Sequence, residues 1–431
     1  MRIIYIVPGF GDTFYCQNCV RDAAFIRALR SLGHDVVMVP LYMPLLAEGR
    51  DLALGSPVFY GAVRLYIEET FPFLRRLPRR LAALLDARPL LHWVARRAST
   101  TRARGLENLT LSVLRGEHGR QAAELKTLLG WLAAEPPCDV IHLSNSLLLG
   151  LARPLRAALG APVVCSLQDE DEWVDSMQTE GATRIWDVMA DCAVDVSAFL
   201  AVSPYFAERI QPRLRIPAAR LRVVYPGVRI EDYVPSSLPF TPRAIGYLSR
   251  MSEDCGLGIL VDAFLLLRQN KRLRQVRLYV CGGMTRDDRR FLAGIQAKLA
   301  ADNAQGHVKF IPEFDRNART AFLQSLTLLS VPARKETSTG TYLLESMAAG
   351  VPVVQPATGG FADIVKRTGG GVLYTPNTPE KLSGALTDLL LDLRRTREMG
   401  QQARAGVAAH FRVEKMAAQL VEIYQGVARK T

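Results

Sequence analysis

The sequence predicts an α/β protein with two domains, each a doubly wound parallel sheet. Short apolar runs alternate along the chain with amphipathic segments, which is typical of parallel strands joined by helices. The alternation stops in the proline- and serine-containing stretch 229–243 and resumes with an apolar run at Ala244–Ser249. We therefore predict a first domain over residues 1–228, a linker over 229–243 and a second domain over 244–410. The length of 431 residues agrees with more than one domain.

The first domain opens with a predicted βαβ unit. A buried strand at Met1–Pro8 leads through a turn-rich loop into an amphipathic helix at Arg21–Leu32, and the next strand is His34–Val39. This order places the loop, which contains Gly9 and Gly11, at the carboxyl end of the first strand. After an irregular stretch from Tyr42 to about Gly130, we predict strands at Cys138–Leu143, Pro162–Leu167 and Ala198–Ser203, and helices from about Ser146 and over Pro204–Arg213.

The second domain repeats the alternation. A last predicted helix, Val413–Ala428, lies after this domain. The domain itself has predicted strands at Ala244–Ser249, Val276–Cys281, Val308–Ile311 and Leu326–Val331, and predicted helices at Leu257–Arg268, Asp288–Ala300, Pro379–Asp392 and Arg394–His410. Within it, Leu326–Val331 is followed by a polar loop at Ala333–Gly340, a helix from Thr341, a strand VPVVQ and a Thr-Gly-Gly turn. Both loops fall at the carboxyl ends of strands, where open parallel sheets bind ligands. A helix N-terminus at such a place favours phosphate.

The composition suits a cytoplasmic protein. Hydrophobic residues make up 49% of the chain, yet no apolar run reaches the ~18 residues that span a bilayer. The start of the chain is too short an apolar run for a secretory signal. Seven scattered cysteines agree with a reducing compartment. No second cysteine pair or histidines at ligand spacing accompany Cys16 and Cys19, so we interpret them as packing or loop residues, with a metal or redox role as the alternative.

The net charge of +12 is concentrated in one stretch. Residues 71–104 contain nine arginines and one acid, Asp86, which leaves an excess of eight positive charges. We expect Arg75, Arg76, Arg79 and Arg80 to contact an anionic membrane surface or an acceptor. The alternative is a solvated helical face. Few aromatic residues interleave with these arginines, which argues against nucleic-acid binding.

The stretch 331–360, VPARKETSTGTYLLESMAAGVPVVQPATGG, resembles the donor site of the family-4 retaining glycosyltransferases, which have the GT-B fold. The matching residues are Glu345, Ala348, Ala349, Gly350, Pro352, Val353, Val354, Gly359 and Gly360. The resemblance implies two Rossmann-like domains facing a cleft, with the last helix, about 411–431, completing the first domain. It also implies that Glu345 holds the ribose of a nucleotide-sugar, a task that suits an ionised carboxylate.

Three positions depart from the family pattern. The family has seven residues between its two glutamates, whereas Glu336 and Glu345 have eight between them, and Thr337 takes the strictly spaced place. Gln168 stands where the family usually has a histidine near the reacting sugar. Cys255 stands where a lysine of the phosphate loop is expected, although Arg250 matches the arginine of that loop.

The resemblance therefore implies a retaining hexosyltransferase that moves a sugar from a nucleotide-sugar to a saccharide, a lipid-linked acceptor or a small molecule. The expected catalytic residues are Glu336, Arg250 and Gln168. The expected donor-binding residues are Gly9, Gly11, Arg250, Gly282, Lys335, Ser338, Thr339, Gly340, Thr341 and Glu345. No metal or cofactor is expected, because Arg250 and helix amides would stabilise the leaving diphosphate. The alternatives are a non-catalytic nucleotide-sugar-binding protein and a hydrolase or epimerase on the same fold.

Overall fold

The computed structural model of the protein describes residues 1–9, 14–42, 46–47, 50–51, 56–60, 106–235 and 242–429. The chain forms two compact units. Unit 1 comprises Met1–Asp12, Asn18–Tyr225 and Ala417–Thr431, and unit 2 comprises Thr13–Gln17 and Pro226–Met416. The short stretch Thr13–Gln17 therefore belongs to the second unit by its contacts, although it lies near the start of the chain. The domain boundaries inferred from the sequence stay a prediction.

Unit 1 is built on a parallel sheet. Its strands are β1 (Arg2–Val7), β2 (Asp35–Pro40), β3 (Leu46–Ala47), β4 (Arg50–Asp51), β5 (Val140–Leu143), β6 (Val163–Leu167), β7 (Ala198–Ala201) and β8 (Leu221–Val223). Six of them pair in parallel in the order β2-β1-β5-β6-β7-β8, and β3 and β4 form a separate antiparallel pair. Strands β1, β5, β6 and β7 are almost wholly buried, as expected of strands covered on both faces.

Seven helices of the described residues accompany this sheet. They are α1 (Gln17–Ser31), α2 (Glu107–Leu114), α3 (Ala122–Ala134), α4 (Ala152–Leu159), α5 (Glu170–Val174), α6 (Thr179–Cys192) and α7 (Pro204–Arg213). Helix α7 shows how local sequence sets a boundary. Ser203 caps it by accepting a hydrogen bond from the backbone N–H of Phe206, and Pro204 occupies the first helical turn, where no N–H is needed.

Unit 2 contains a second parallel sheet of six strands, in the order β11-β10-β9-β12-β13-β14. These strands are β9 (Ala244–Leu248), β10 (Arg277–Cys281), β11 (Val308–Ile311), β12 (Leu328–Leu329), β13 (Val353–Pro356) and β14 (Gly371–Tyr374). The helices are α8 (Leu257–Leu267), α9 (Arg289–Ala301), α10 (Arg316–Gln324), α11 (Thr341–Ala348), α12 (Phe361–Thr368), α13 (Pro379–Leu391), α14 (Leu393–His410) and α15 (Val413–Ala428). Helix α15 passes from unit 2 into unit 1 after Met416.

The strand order of unit 2 determines where a ligand can bind. Connections run outward on one side from β9 to β10 and β11, and on the other side through β12 to β13 and β14. The order reverses between β9 and β12, and open α/β sheets bind ligands beyond the carboxyl ends of strands at such a switch point. The chain leaves β9 at Ser249–Arg250 and leaves β12 at Ser330–Val331, so both predicted loops begin there.

The predicted fold class is confirmed, because each unit has six parallel strands with helices on the connections. The prediction of an irregular stretch up to about Gly130 is wrong in its last part, where α2 and α3 lie. Helix α3 buries Leu125, Leu128 and Leu132, a helical spacing that is readable in the sequence. The segment after β5 begins as a 3-10 helix at Ser146–Leu151 and becomes α-helical only at Ala152.

Among the described residues, no helix combines the length and the apolar character needed to cross a membrane.

Gly256, at the start of α8, offers a test of how tightly the loops of unit 2 pack. Its φ of +79° is in the left-handed region, and a Cβ atom there would lie 1.8 Å from the carbonyl oxygen of Pro332. Gly256→Ala should lower the free energy of unfolding by more than about 2 kcal/mol, because the obstacle is backbone. Urea denaturation measures this.

The matched control is Gly294→Ala in the exposed part of α9, where an added Cβ meets nothing within 4 Å. That change should stabilise the protein by roughly 0.5–1 kcal/mol, because glycine is unfavourable inside a helix. Equal effects of the two changes would show that the contact between Gly256 and Pro332 is looser than described.

Candidate functional site

The loops at the carboxyl ends of β9, β10, β12 and β13, together with the first turn of α11, form what we call the loop edge of unit 2. Glycines allow its backbones to approach closely. Gly282, with a φ of +125°, would place a Cβ 2.3 Å from the carbonyl oxygen of Ser249, and Gly360 would place one 2.2 Å from the oxygen of Ser338. The Gly360 amide also donates to the oxygen of Thr337 at 2.9 Å. The edge is therefore compact and dominated by backbone.

A buried carboxylate, that of Glu345 in α11, lies at this edge and receives three donors. The hydroxyl of Tyr15 donates to Oε2 at 2.6 Å, the hydroxyl of Tyr233 donates to Oε1 at 2.6 Å, and Arg319 Nε donates to Oε1 at 3.1 Å. The side chain of Glu345 is 1% exposed and that of Arg319 is 13% exposed. A buried carboxylate is tolerated only when it is paired and hydrogen-bonded, and these three groups meet that need.

The protonation of this cluster follows from burial and charge. Burial, and then the charge of Glu345, raise the pKa of Tyr15 and of Tyr233 well above the ordinary value, so both phenols keep their protons and act as donors. Burial alone would lower the pKa of Arg319, but the carboxylate of Glu345 and the neighbouring phenols raise it overall. The guanidinium therefore stays charged opposite the carboxylate.

The stretch Phe14–Gln17 contacts the loop edge at several further points. The backbone N–H of Tyr15 donates to the oxygen of Gly282 at 2.7 Å, and Phe14 forms a β-bridge with Gly283. The side-chain oxygen of Gln17 accepts from the first backbone N–H of α11, that of Thr341, at 2.9 Å. That amide is one of the donors that the helix itself leaves unpaired.

Arg250, directly after β9, is held by a carboxylate of the same unit. Its Nε donates to Asp288 Oδ2 at 2.9 Å and its Nη2 to Oδ1 at 2.8 Å, while Nη2 also reaches the hydroxyl of Thr285 at 3.2 Å. Burial would raise the pKa of Asp288, but hydrogen bonds from Arg250 and Thr285 outweigh it and hold the pKa below its usual value. The guanidinium of Arg250 also lies 5.6 Å from the centre of the Phe14 ring.

The polar loop before α11 divides into an exposed part and a buried part. Lys335 and Glu336 are exposed, whereas Ser338, Thr339, Gly340 and Thr341 are buried. Within the part of the chain that the structure describes, the buried hydroxyl oxygens of Thr337, Thr339 and Thr341 have no hydrogen-bond partner. Buried hydroxyls normally find a partner, so these three retain capacity to bind polar groups.

Gln168, expected near the reacting sugar, lies in unit 1 inside a buried polar network. Its side chain oxygen accepts from Arg21 Nη1 at 3.0 Å, and its side-chain nitrogen is buried without a partner among the described residues. Arg21 is itself 1% exposed and pairs with Asp22 at 2.9 Å. The neighbouring Glu170 accepts from two backbone amides, and burial raises its pKa to about 7. Gln168 thus has a structural partner that the sequence did not indicate.

Unit 2 brings together Arg250, Gly282, Thr341 and Glu345 from the predicted site, whereas Gly9 lies in unit 1, after β1 with a φ of +79°. Gly11, Arg75, Arg76, Arg79 and Arg80 lie outside the described residues. Five residues that contact this site were not predicted from the sequence: Tyr15, Gln17, Tyr233, Asp288 and Arg319. Of these, Asp288 carries a readable signal, because Thr285 and Asp288 form a capping box. Cys16 and Cys19 are disulfide-bonded, which their interpretation as packing or loop residues did not anticipate.

Comparisons with known sequences match two regions of the chain. Residues 230–406 match the family described as "Glycosyl transferases group 1", and residues 91–232 match "Glycosyltransferase Family 4". The D-inositol 3-phosphate glycosyltransferase of Corynebacterium urealyticum is 27% identical over 48% of this chain and 52% of its own length. The enzyme of the same name from Jonesia denitrificans is 25% identical over 48% and 51%. The chain spans about half the length of the curated relatives it matches.

Comparisons with solved structures extend over the whole chain. HepE of Anabaena in complex with UDP has a TM-score of 0.69 at 16% identity, covering 99% of this chain and 100% of its own. The sucrose-phosphate synthase of Thermosynechococcus elongatus has a TM-score of 0.71 at 17% identity and covers 100% of both chains. At this identity the likeness shows the fold alone, and that fold is GT-B.

The ion pair of Arg250 with Asp288 gives a prediction about stability and pH. Asp288→Asn should lower the free energy of unfolding at pH 7 by about 1–2 kcal/mol, because a neutral amide offers the guanidinium a single acceptor. The pKa of Asp288 is lowered in the folded state. The contribution of ionised Asp288 to the free energy of unfolding is therefore fully present above its pKa in the unfolded chain, which is about 4. It is lost as the pH falls through the lower pKa of Asp288 in the folded protein. The difference between the two proteins should shrink below about pH 4.

Asp262→Asn is the matched control, since Asp262 pairs with Lys298 at 2.6 Å with both side chains more than a third exposed. An exposed pair of this kind contributes at most about 1 kcal/mol. Thermal and urea unfolding of the three proteins across pH would measure both effects, and an Asp288 variant no less stable than the Asp262 variant would contradict the pairing.

Proposed function

Because the chain belongs to the glycosyltransferases with the GT-B fold, we propose that it transfers a sugar from a nucleotide-sugar donor to a saccharide or lipid-linked acceptor, with retention of the anomeric configuration. The donor would bind at the loop edge of unit 2. The nucleotide-sugar donor is proposed from a structural neighbour, because HepE of Anabaena was solved with UDP and with UDP-glucose. The activity of the whole protein, its substrates and its partners all belong to the proposal.

The observation that carries it is the set of donors around Glu345. This buried carboxylate accepts one phenolic hydroxyl on each oxygen, both at 2.6 Å. A ribose presents two neighbouring hydroxyls, which are the same kind of donor. Glu345 is thus placed to accept hydroxyl donors, and Arg319 forms an ion pair with it.

The diphosphate would lie beside Arg250 and the first turn of α11. Asp288 fixes the plane of the guanidinium through Nε and Nη2, so its orientation is set before a ligand arrives. The hydroxyls of Thr339 and Thr341, which have no partner among the described residues, would add neutral donors at the same edge. Together these groups would stabilise the negative charge that develops on the leaving diphosphate, and the scheme needs no metal ion.

The donor sugar would lie against the loop before α11. Glu336 is exposed there, while the strictly spaced position is taken by Thr337, whose hydroxyl is buried and unpaired among the described residues. Lys335, which is also exposed, would add a cation to the donor site. We propose that Thr337 shares with Glu336 the contacts to the sugar hydroxyls, because both flank the same turn of the loop.

A non-catalytic nucleotide-sugar-binding protein is the second candidate, and one observation favours it. Gln168 stands at the place of the family's histidine, and an amide cannot exchange a proton near neutral pH. Its oxygen also accepts a hydrogen bond from Arg21. A binder of this kind would still use Glu345. A hydrolase or epimerase is less favoured, because it needs an acid-base residue where Gln168 stands.

Two features of the proposal concern location. We propose a cytoplasmic protein that contacts the inner membrane face peripherally through Arg75, Arg76, Arg79 and Arg80. The support is the excess of arginine in residues 71–104.

Donor turnover without an acceptor tests the proposal. Incubation with UDP-, GDP- and ADP-sugars should release nucleoside diphosphate slowly from one of them, because the leaving-group contacts act even when water is the acceptor. Proton NMR should show that the sugar first formed has the anomeric configuration of the donor. Binding of a nucleotide-sugar without any turnover would favour the non-catalytic alternative, and a first product of opposite configuration would contradict retention.

Glu345→Asp is the variant that tests the site. It keeps the charge opposite Arg319 but withdraws the carboxylate by one methylene, so donor affinity should fall about 10–100-fold, the value of a hydrogen bond to a charged group. Glu398→Asp, in an exposed pair with Arg394 on α14, is the matched control and should bind the donor normally. Unchanged affinity in the Glu345 variant would remove the ribose contact from the account.

A further inference from the structure

We propose that the segment Phe14–Gln17, which we call the tyrosine plug, occupies the donor site in the resting protein and has to leave it before a nucleotide-sugar binds. The inference rests on the proposed function and concerns the regulation of the same site. Its basis is that this one segment contacts four groups of the proposed donor site: Glu345, the first amide of α11, the carbonyl of Gly282 and the guanidinium of Arg250.

The first contact is with the ribose position. Glu345 Oε2 has the hydroxyl of Tyr15 as its partner among the described residues, at 2.6 Å, and the carboxylate is buried. A ribose hydroxyl approaching Oε2 would meet a position that is already filled by the same kind of donor. The phenol of Tyr15 therefore imitates the group that it excludes.

The second contact is with the phosphate position. The first amide of α11, that of Thr341, already donates to the side-chain oxygen of Gln17 at 2.9 Å. A helix N-terminus attracts phosphate through such free amides, and an amide oxygen that carries no full charge is a weaker acceptor than a phosphate. Gln17 thus satisfies the amide in the resting state and can be exchanged for a phosphate oxygen.

The remaining contacts lie along the strand ends. Tyr15 N–H donates to the oxygen of Gly282 at 2.7 Å, Phe14 bridges to Gly283, and the Phe14 ring lies 5.6 Å from the guanidinium carbon of Arg250. Each of these places an aromatic residue beside a group that the proposed diphosphate needs. The segment follows the loop edge from Arg250 to Glu345, which is the course that the donor would take.

Tyr15, rather than the other partners of Glu345, is the group that leaves. Tyr233 is held through its carbonyl oxygen, which accepts from Arg404 at 2.8 Å. Arg319 belongs to α10 and also donates to the carbonyl of Phe314 at 2.8 Å. Its departure would leave the buried carboxylate of Glu345 without an ion-pair partner. Release of Tyr15 opens Oε2 and leaves the charge of Glu345 compensated.

The energetic consequence is a reduced apparent affinity. If the donor binds only the open form, the measured Kd equals the intrinsic Kd divided by the open fraction. A change that weakens the plug raises that fraction and tightens binding, whereas a change in an ordinary donor-binding residue weakens binding. The two roles therefore predict opposite signs for the same substitution.

Tyr15→Phe tests this directly, because it removes one hydroxyl and keeps the ring. Calorimetry with UDP, GDP and ADP as probes should show binding about tenfold or more tighter than in the native chain. Gln17→Ala, which removes a separate contact of the plug, should change affinity in the same direction. Tyr233→Phe is the matched control: it deletes an equally short hydroxyl bond to Glu345 but leaves Tyr15 on Oε2, so it should not tighten binding.

Hydrogen–deuterium exchange supplies a second readout. Saturating nucleoside diphosphate should speed the exchange of the Tyr15 amide, which now donates to Gly282. Weaker binding in Tyr15→Phe, or slower exchange at Tyr15 with ligand, would overturn the plug and make the segment part of the donor site. If none of the three probes binds the native chain or the Tyr15 and Gln17 variants, the proposed function falls and the plug falls with it. That outcome differs from weaker binding in Tyr15→Phe, which would overturn the plug and leave the proposed function standing.

Discussion

The structure of unit 2 depends on one buried charge. Glu345 lies within α11 with its carboxylate removed from water, and an uncompensated carboxylate in that place would cost several kcal/mol. Its compensation comes from Arg319 on α10, Tyr233 after the chain enters unit 2, and Tyr15 near the start of the sequence. Three separate parts of the chain thus meet around one carboxylate.

The same requirement links stability to function. The groups that compensate Glu345 in the resting protein are hydroxyls and a guanidinium, and the ligand of the proposed function offers hydroxyls. Exchange of one hydroxyl donor for another on Glu345 costs little free energy. A buried carboxylate that would otherwise only destabilise the fold can therefore serve as a binding group. Arg250 is prepared in a related way, since Asp288 holds its guanidinium in a fixed orientation.

The parts of this description that could be predicted from sequence are the local ones. The buried strands, the loops that follow them and the position of Glu345 one turn into α11 are visible in the stretch 331–360, because apolar runs, glycines and a helix start are encoded by neighbouring residues. Helix α3 was also readable, because Leu125, Leu128 and Leu132 have helical spacing.

The partners of the site could not be predicted in the same way. Tyr15 is separated from Glu345 by 330 residues and Tyr233 by 112, and nothing in the sequence around either tyrosine indicates a carboxylate. Gln168 illustrates the same limit. Its substitution for the family's histidine is evident from the sequence, but its bond to the buried Arg21 depends on how α1 packs beside β5 and β6.

The central claim is that Glu345 holds the ribose of a nucleotide. A crystal structure of the protein with the bound nucleoside diphosphate tests it most directly. We expect a ribose hydroxyl within hydrogen-bond distance of Glu345 Oε2, with the hydroxyl of Tyr15 displaced from that oxygen and Arg319 still on Oε1. A nucleotide bound elsewhere, with Tyr15 unmoved on Glu345, would contradict the account.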